Sequence, residues 1–335
     1  MKVQTSIALT FGIMTVAAII IVVATQINYS STVAARAKHA APITSTPTPT
    51  PAAAKTTAIF QPPAEKDMPQ DEFGKTIQMG QDIFEHTERF ASQYVGSNTN
   101  LRCSSCHLDA GRLAHSAPLW AAYVSYPAYR SKNKHVNTLP ERMQGCFKYS
   151  MNGKAPALGD PVLVALESYA YWLASGAPID PKIAGRGYPK VPNPPLPRDY
   201  GRGQIVYEQN CALCHGADGA GQTNANNQPN FPALWGDKSF NWGAGMGSIK
   251  NAAGFIKANM PLGLGGILSD QQAWDVATFI DSHERPQDPR FEGVVADTRA
   301  KYHESPDDMY GLVVNGQTLG SGPIAAGKAN HEGLQ

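Results

Sequence analysis

Two short stretches carry residue types able to hold an iron-bearing cofactor: Cys103-Ser104-Ser105-Cys106-His107 and Cys211-Ala212-Leu213-Cys214-His215. In a Cys-x-x-Cys-His stretch, two thiols can add to the two vinyl groups of a haem. The adjacent imidazole then reaches the iron, so the pattern reads as covalent c-type haem attachment. Zinc would want four ligands from two such pairs within one domain. Here the pairs lie far apart, each with its own His in the same slot. A redox dithiol would want a thioredoxin-like βαβ pattern, which the sequence lacks. Haem c is attached outside the cytoplasm in bacteria, so the motifs also imply export.

The elements that must position these motifs form an internal repeat. The two histidines stand 108 positions apart. Each motif follows a helical stretch, Gly74–Phe90 in one case and Gly201–Gln209 in the other. Each also precedes an amphipathic helix. In the first unit Asp160 is a cap and Pro161 occupies the first helical position, with Leu163, Leu166, Tyr169, Ala170 and Leu173 at helical spacing. In the second, Ser269 and Gln272 make a capping box ahead of Ala273, Trp274, Ala277, Phe279 and Ile280. Two helices crossing over a haem is the plan of a small cytochrome c. The expected fold is therefore mainly α: two tandem cytochrome c-type domains, each around one covalently attached haem, so two haem c in all. The expected boundaries are 67–190 and 191–285, joined across the Pro-rich segment Pro189–Pro197. Residues 286–335 are expected to cover the domains, with no motif of their own.

Ahead of the domains, no charge appears between Lys2 and Arg36, and Ile7–Thr25 is mainly Ile, Val, Ala, Leu and Met. That run is longer than the apolar core of a secretory signal and fits a membrane-spanning helix. Its candidate cleavage patterns, Val33-Ala34-Ala35 and Ala35-Arg36-Ala37, lie well past its end. Residues 1–37 are thus read as an uncleaved membrane anchor in preference to a signal peptide, with Lys2 inside. Residues 38–66, Pro/Thr-rich, are read as an extended disordered linker. Both readings send the chain to the periplasm. A formal charge of +1 gives no electrostatic footprint for nucleic acid. A hydrophobic content of 42% excludes wholesale disorder.

A c-type haem that carries electrons usually has a second protein ligand, often Met. In the second domain the candidate is Met260, in Asn259-Met260-Pro261, just before the last helix; Met246, in a Gly-rich setting, competes. The first domain has no Met-Pro, and its candidates are Met143, Cys146, Met151, His115 and His135. Four of five thiols are committed to haem, so Cys146 has no partner within the chain. It is buried and inert, paired with another chain, or bound to iron. Its place between His107 and the closing helix matches that of Met260. A thiolate would push electron density onto the iron and lower the potential.

These stretches together resemble the dihaem thiosulfate dehydrogenase family, which includes tetrathionate reductases. The resemblance covers roughly residues 70–310. It rests on both haem motifs, Arg142-Met-Gln-Gly-Cys146-Phe with Ser150-Met-Asn-Gly153, Leu234-Trp-Gly-Asp with Phe240-Asn-Trp-Gly-Ala, and Asn259-Met-Pro-Leu-Gly263. It implies a reversible reaction in which two thiosulfates give tetrathionate and two electrons. His107 and Cys146 would ligate an active-site haem, and His215 and Met260 an electron-transfer haem that exchanges electrons with a small cytochrome c or other high-potential carrier. The position before the ligand Met can be a Lys in that family; here it is Asn259. A dianionic substrate calls for cations near Cys146, and Arg130, Lys132, Lys134, His135 and Arg142 precede it in sequence. Arg142 and Arg130 are the leading candidates for substrate contact. Thr138 and Glu141 form a capping box, so a helix from Leu139 is expected to place Arg142 one turn from Cys146, with Gly153 ending it in a left-handed turn.

Overall fold

The structure, a computed structural model, describes residues 58–130, 133–180, 182–226 and 228–322. The expected anchor and residues 38–57 of the linker lie outside the described residues; residues 58–66, expected to be disordered, instead lie on the first unit, with the Phe60 ring 5.4 Å from that of Trp120. Among the described residues, no helix is long and apolar enough to cross a membrane.

Chain order in the first half is α1 (Glu72–Glu85), α2 (Leu119–Tyr123), β1 (Ala128–Arg130), β2 (His135–Asn137), α3 (Leu139–Gly145) and α4 (Pro161–Leu173). Helix α1 begins where Asp71 accepts the Gly74 N–H. It is shorter than the sequence suggests. His86, at φ −134° and ψ 52°, leaves helical geometry, and a one-turn helix Thr87–Phe90 follows on a new axis. The break lets the Thr87 hydroxyl accept the Cys103 N–H at 3.1 Å, so it docks the haem motif. Helix α4 starts as expected, with Asp160 capping Val162 and Pro161 in the first turn. Helices α1 and α4 cross so closely that a Cβ at Gly80 would overlap the Ala165 carbonyl. Ile77, Ile83, Leu163, Tyr169 and Leu173 seal the crossing. Each such buried aliphatic contributes about 1.5–3 kcal/mol.

The second half repeats the device. Its helices are α5 (Tyr200–Asn210), α6 (Ile249–Asn259) and α7 (Asp270–Asp281). Helix α7 is capped by the Ser269/Gln272 box. At its crossing with α5, a Cβ on Gly203 would overlap the Asp275 carbonyl. Two short hairpins, β3 (Gln222–Thr223) with β4 (Pro229–Phe231) and β5 (Val313–Val314) with β6 (Gln317–Thr318), serve as local ties.

The C-terminal stretch carries α8 (Val295–Tyr302) and is locked by charge. Buried His303 bonds Asp308 through Nδ1 at 2.7 Å and Asp288 through Nε2 at 2.9 Å. Arg290 pairs with Asp288 and stacks over Tyr302 and Tyr149. Nothing in the sequence pattern singled this lock out.

Candidate active site

Thr138 caps α3 through the expected reciprocal box with Glu141. Helix α3 stops at Gly145, and Cys146–Ser150 continues as a π-helix. Such wide turns are rare and concentrate at functional sites. Despite the change of winding, Arg142 Nη1 lies 3.1 Å from Cys146 Sγ. The expected left-handed exit is taken by Asn152, at φ 46°, and Gly153 is not left-handed. Gly153 is small because the Tyr94 carbonyl sits where a Cβ would be.

Cys103, Cys106, His107 and Cys146 line one cavity of about 310 Å³. The imidazole of His107 is oriented by its own backbone neighbour. A carbonyl only accepts, so the 2.7 Å contact with Ala117 O requires Nδ1 to carry the proton and leaves the Nε2 lone pair free. Burial pushes His107 down to about 4, so it stays neutral, as a metal ligand must. Burial likewise pushes the thiols of Cys103 and Cys106 up to about 12. Two neutral thiols and one free imidazole nitrogen on a common cavity fit a covalently held haem.

Arginine dominates the polar lining. Arg142, Arg130, Arg102 and Arg186 all reach the cavity, and among the described residues no Asp or Glu does. Arg102 is neutralised by Glu88 at 2.8 Å. Arg130 donates to the Tyr126 hydroxyl at 2.6 Å. Cys146 beside it raises the Arg142 guanidinium further, with Tyr126 and Tyr188 adding to the effect. Arg186 is exposed at the mouth, and the sequence reading missed it because it follows the closing helix rather than preceding Cys146. Of the other expected cations, Lys134 and His135 are exposed and do not line the cavity. His135 instead meets Asn137, and Glu141 at 3.9 Å. Lys132 lies outside the described residues.

Met246, weighed above as a rival ligand for the second haem, lines this first cavity and touches both cores. Met143 and Met151 are also buried at the cavity wall. His115 does not line the cavity; its carbonyl accepts from Asn259 Nδ2 at 3.2 Å.

The second motif repeats the orientation. His215 Nδ1 donates to Pro232 O at 2.9 Å, again freeing Nε2. Burial lowers His215 and raises Cys211 to about 11. Cys211 and Met260 pack against the same second core, which includes Trp235 and Ile256.

Two crossed-helix units, each presenting a Cys-x-x-Cys-His turn with an oriented imidazole, define a tandem c-type cytochrome carrying two covalent haem c groups. The profile of the cytochrome c family matches residues 200–284, and that described as "SoxA/TsdA, cytochrome c domain" matches residues 92–179. A thiosulfate dehydrogenase of Thiomonas intermedia (strain K12) is 61% identical over 80% of this chain and 85% of its own. One from Stutzerimonas stutzeri (strain A1501) is 52% identical over 79% of this chain and 86% of its own. The solved thiosulfate dehydrogenase (TsdBA) from Marichromatium purpuratum superposes with a TM-score of 0.76 at 46% identity, over 80% of this chain. This chain spans only 59% of that longer one. The chain belongs to the thiosulfate dehydrogenase family.

Proposed function

We propose that this protein is a dihaem thiosulfate dehydrogenase of the periplasm, joining two thiosulfates into tetrathionate and able to run in reverse. The balance is two S2O3(2−) giving S4O6(2−) and two electrons: one S–S bond forms, and no proton moves. When bound, the haems would supply two one-electron acceptors, with the second as the exit toward a small cytochrome c or another high-potential carrier. His107 and Cys146 would hold the first iron, His215 and Met260 the second.

The observation that carries this reading is Cys146 Sγ, 3.1 Å from Arg142 Nη1, on the cavity that also receives the free face of His107. An inert core cysteine would have no reason to meet a guanidinium. The arginine-lined, carboxylate-free wall suits two dianions brought together against their mutual repulsion, which low dielectric would amplify. Arg142 and Arg130 are read as substrate contacts. A guanidinium offers a planar fork of donors to sulfonate-like oxygens. Leu108, next to His107, packs against the second core, so the first haem motif abuts the second unit, which supports an electron relay between them.

The test couples chemistry to ligation. Purified protein with thiosulfate and an electron acceptor should yield one tetrathionate per two electrons. Electron paramagnetic resonance and near-infrared spectra of the oxidised protein should show one thiolate-ligated and one thioether-ligated haem. Two thioether-ligated haems and no tetrathionate would make it an electron carrier, with Met143 or Met151 on the first iron.

A further inference from the structure

The stretch Phe240–Ala244 belongs to the second haem unit by sequence, but its two ends are buried in the first. Phe240 and Ala244 sit in the first core, and Phe240 lines the Cys146 cavity. Between them, Asn241 has no exposed surface. Its backbone N–H donates to Tyr149 O at 3.2 Å. Its side-chain Nδ2 donates to Lys148 O at 2.9 Å and to Asn152 Oδ1 at 3.1 Å. Its Oδ1 accepts the Gly243 N–H at 3.0 Å, which settles which end of the amide faces the turn. The stretch is itself held from behind. Trp242 donates to Glu284 at 2.8 Å, and the buried Arg285 guanidinium lies over the rings of Phe240 and Trp242.

All of the turn carbonyls that Asn241 touches lie in the π-helix that begins at Cys146. A π-helix closes wider rings: Met151 N–H donates to Cys146 O at 2.9 Å, and Gly153 N–H reaches Phe147 O at 2.9 Å. That winding leaves Lys148 O without a donor from its own segment. A buried carbonyl without a donor is unfavourable, and the segment would otherwise tend toward ordinary α winding. Rewinding would rotate Cys146 about the helix axis, away from the direction set by α3. The Asn241 amide supplies the missing donor. Gly243 lets the Tyr149 ring approach the Phe240–Ala244 backbone, where a Cβ would overlap it.

We infer that Asn241 is a positioning residue of the first haem site: it holds the Cys146–Ser150 turn in its π form and so fixes how the Cys146 sulfur meets the iron. This rests on the ligand role proposed for Cys146. It makes the first site incomplete without the second unit, although no atom of Asn241 need touch substrate.

The test uses the full-length protein with both haems. Asn241→Asp keeps the shape but turns an acceptor toward Lys148 O and Asn152 Oδ1. The first haem's thiolate-type resonance signal should split or give way to another species, while the second haem's signal is unchanged. kcat for thiosulfate oxidation should fall roughly ten- to a hundredfold with KM within about twofold, since the loss lies in alignment rather than in binding. Asn241→Ser, which keeps a short donor, should recover part of the signal. A haem-loaded Asn241→Asp with the wild-type first-haem spectrum and kcat overturns the inference. If Asn241→Asp fails to load haem, Asn241→Ser is read in its place: an altered first-haem signal supports the inference and an unchanged one overturns it. A wild-type protein lacking the thiolate signal overturns the ligand role of Cys146 and this inference with it. A wild type that shows the signal beside an unchanged variant overturns this inference alone.

Discussion

Replacing Arg142 by alanine removes a guanidinium within hydrogen-bond reach of Cys146 Sγ, at 3.1 Å. The site holds it by geometry: the Thr138 capping box starts α3, and Arg142 sits one turn before Cys146. A charge-assisted hydrogen bond to a substrate oxygen is worth about 1.5–3 kcal/mol, so Arg142→Ala should lower kcat/KM for thiosulfate roughly 10- to 150-fold. Arg130 and Arg186 remain on the cavity and keep part of the attraction, which places the expected loss nearer the lower end. Arg142→Lys keeps the charge but loses the planar fork, so it should recover only a part. Steady-state kinetics on both variants, with a redox titration of the first haem, separate two roles. A substrate contact predicts a raised KM with a modest change in potential. A pairing with a haem propionate predicts a shifted potential with KM intact. An unchanged kcat/KM in both variants would refute the reasoning from the Arg142–Cys146 contact to substrate binding.

Cys146→Gly should abolish thiosulfate oxidation while both haems stay attached; wild-type turnover in that variant rules out the ligand role. Met260→Gly should lower the second haem's potential and slow electron exit, because a thioether favours ferrous iron; persistence of the thioether-to-iron charge-transfer band would assign another ligand. His303 gives a pH dependence with a definite sign. Burial opposes its charge, but the carboxylates of Asp288 and Asp308 outweigh burial and raise it above its ordinary value of 6.5. The charged lock therefore stabilises the fold fully below about 6.5 and is lost as pH rises through the raised folded value. His303→Asn, which takes the cation from Asp308 while Arg290 still pairs with Asp288, should destabilise by about 1.5–3 kcal/mol at mildly acid pH, and by less in alkali. Thermal melts of the two proteins across that range check it; a gap that is constant with pH would refute a charged His303.

What could be read from the sequence was what short-range chemistry determines. The haem motifs, the caps at Asp160 and Ser269, and the Thr138/Glu141 box each depend on residues within a few positions of one another. The relation of Arg142 to Cys146 followed from helical spacing alone. The π winding from Cys146 did not, because its missing donor comes from Asn241, some ninety residues later. That Met246 lines the first cavity while touching both cores was hidden for the same reason: its segment crosses between the units, and no local pattern records that crossing. The His303 lock was invisible because single His and Asp residues acquire meaning only when folding brings them together. His86 ended α1 early through a tertiary demand, the docking of Thr87 onto the first haem motif.

The seam between the two units is held by amides. Asn100 accepts the Ala233 N–H at 2.9 Å and donates to Phe231 O. Asn241 ties the second unit to the π turn. Asn259, next to the proposed ligand Met260, donates to His115 O at 3.2 Å and to Phe255 O at 3.0 Å. All three are buried. Asparagine suits this work because one short, uncharged side chain carries both donors and an acceptor, and so can satisfy irregular loops from the opposite unit without burying a charge. A seam laced in this way resists the sliding that a purely apolar interface would allow. On the proposed reading, in which one haem site performs chemistry and the other exports electrons, that rigidity would matter at both ends. It would keep the two sites at a constant separation, with the turn that carries Cys146 tied to a residue of the other unit. On this reading Asn259 is a structural residue of the seam, and its amide is committed to backbone carbonyls rather than to iron.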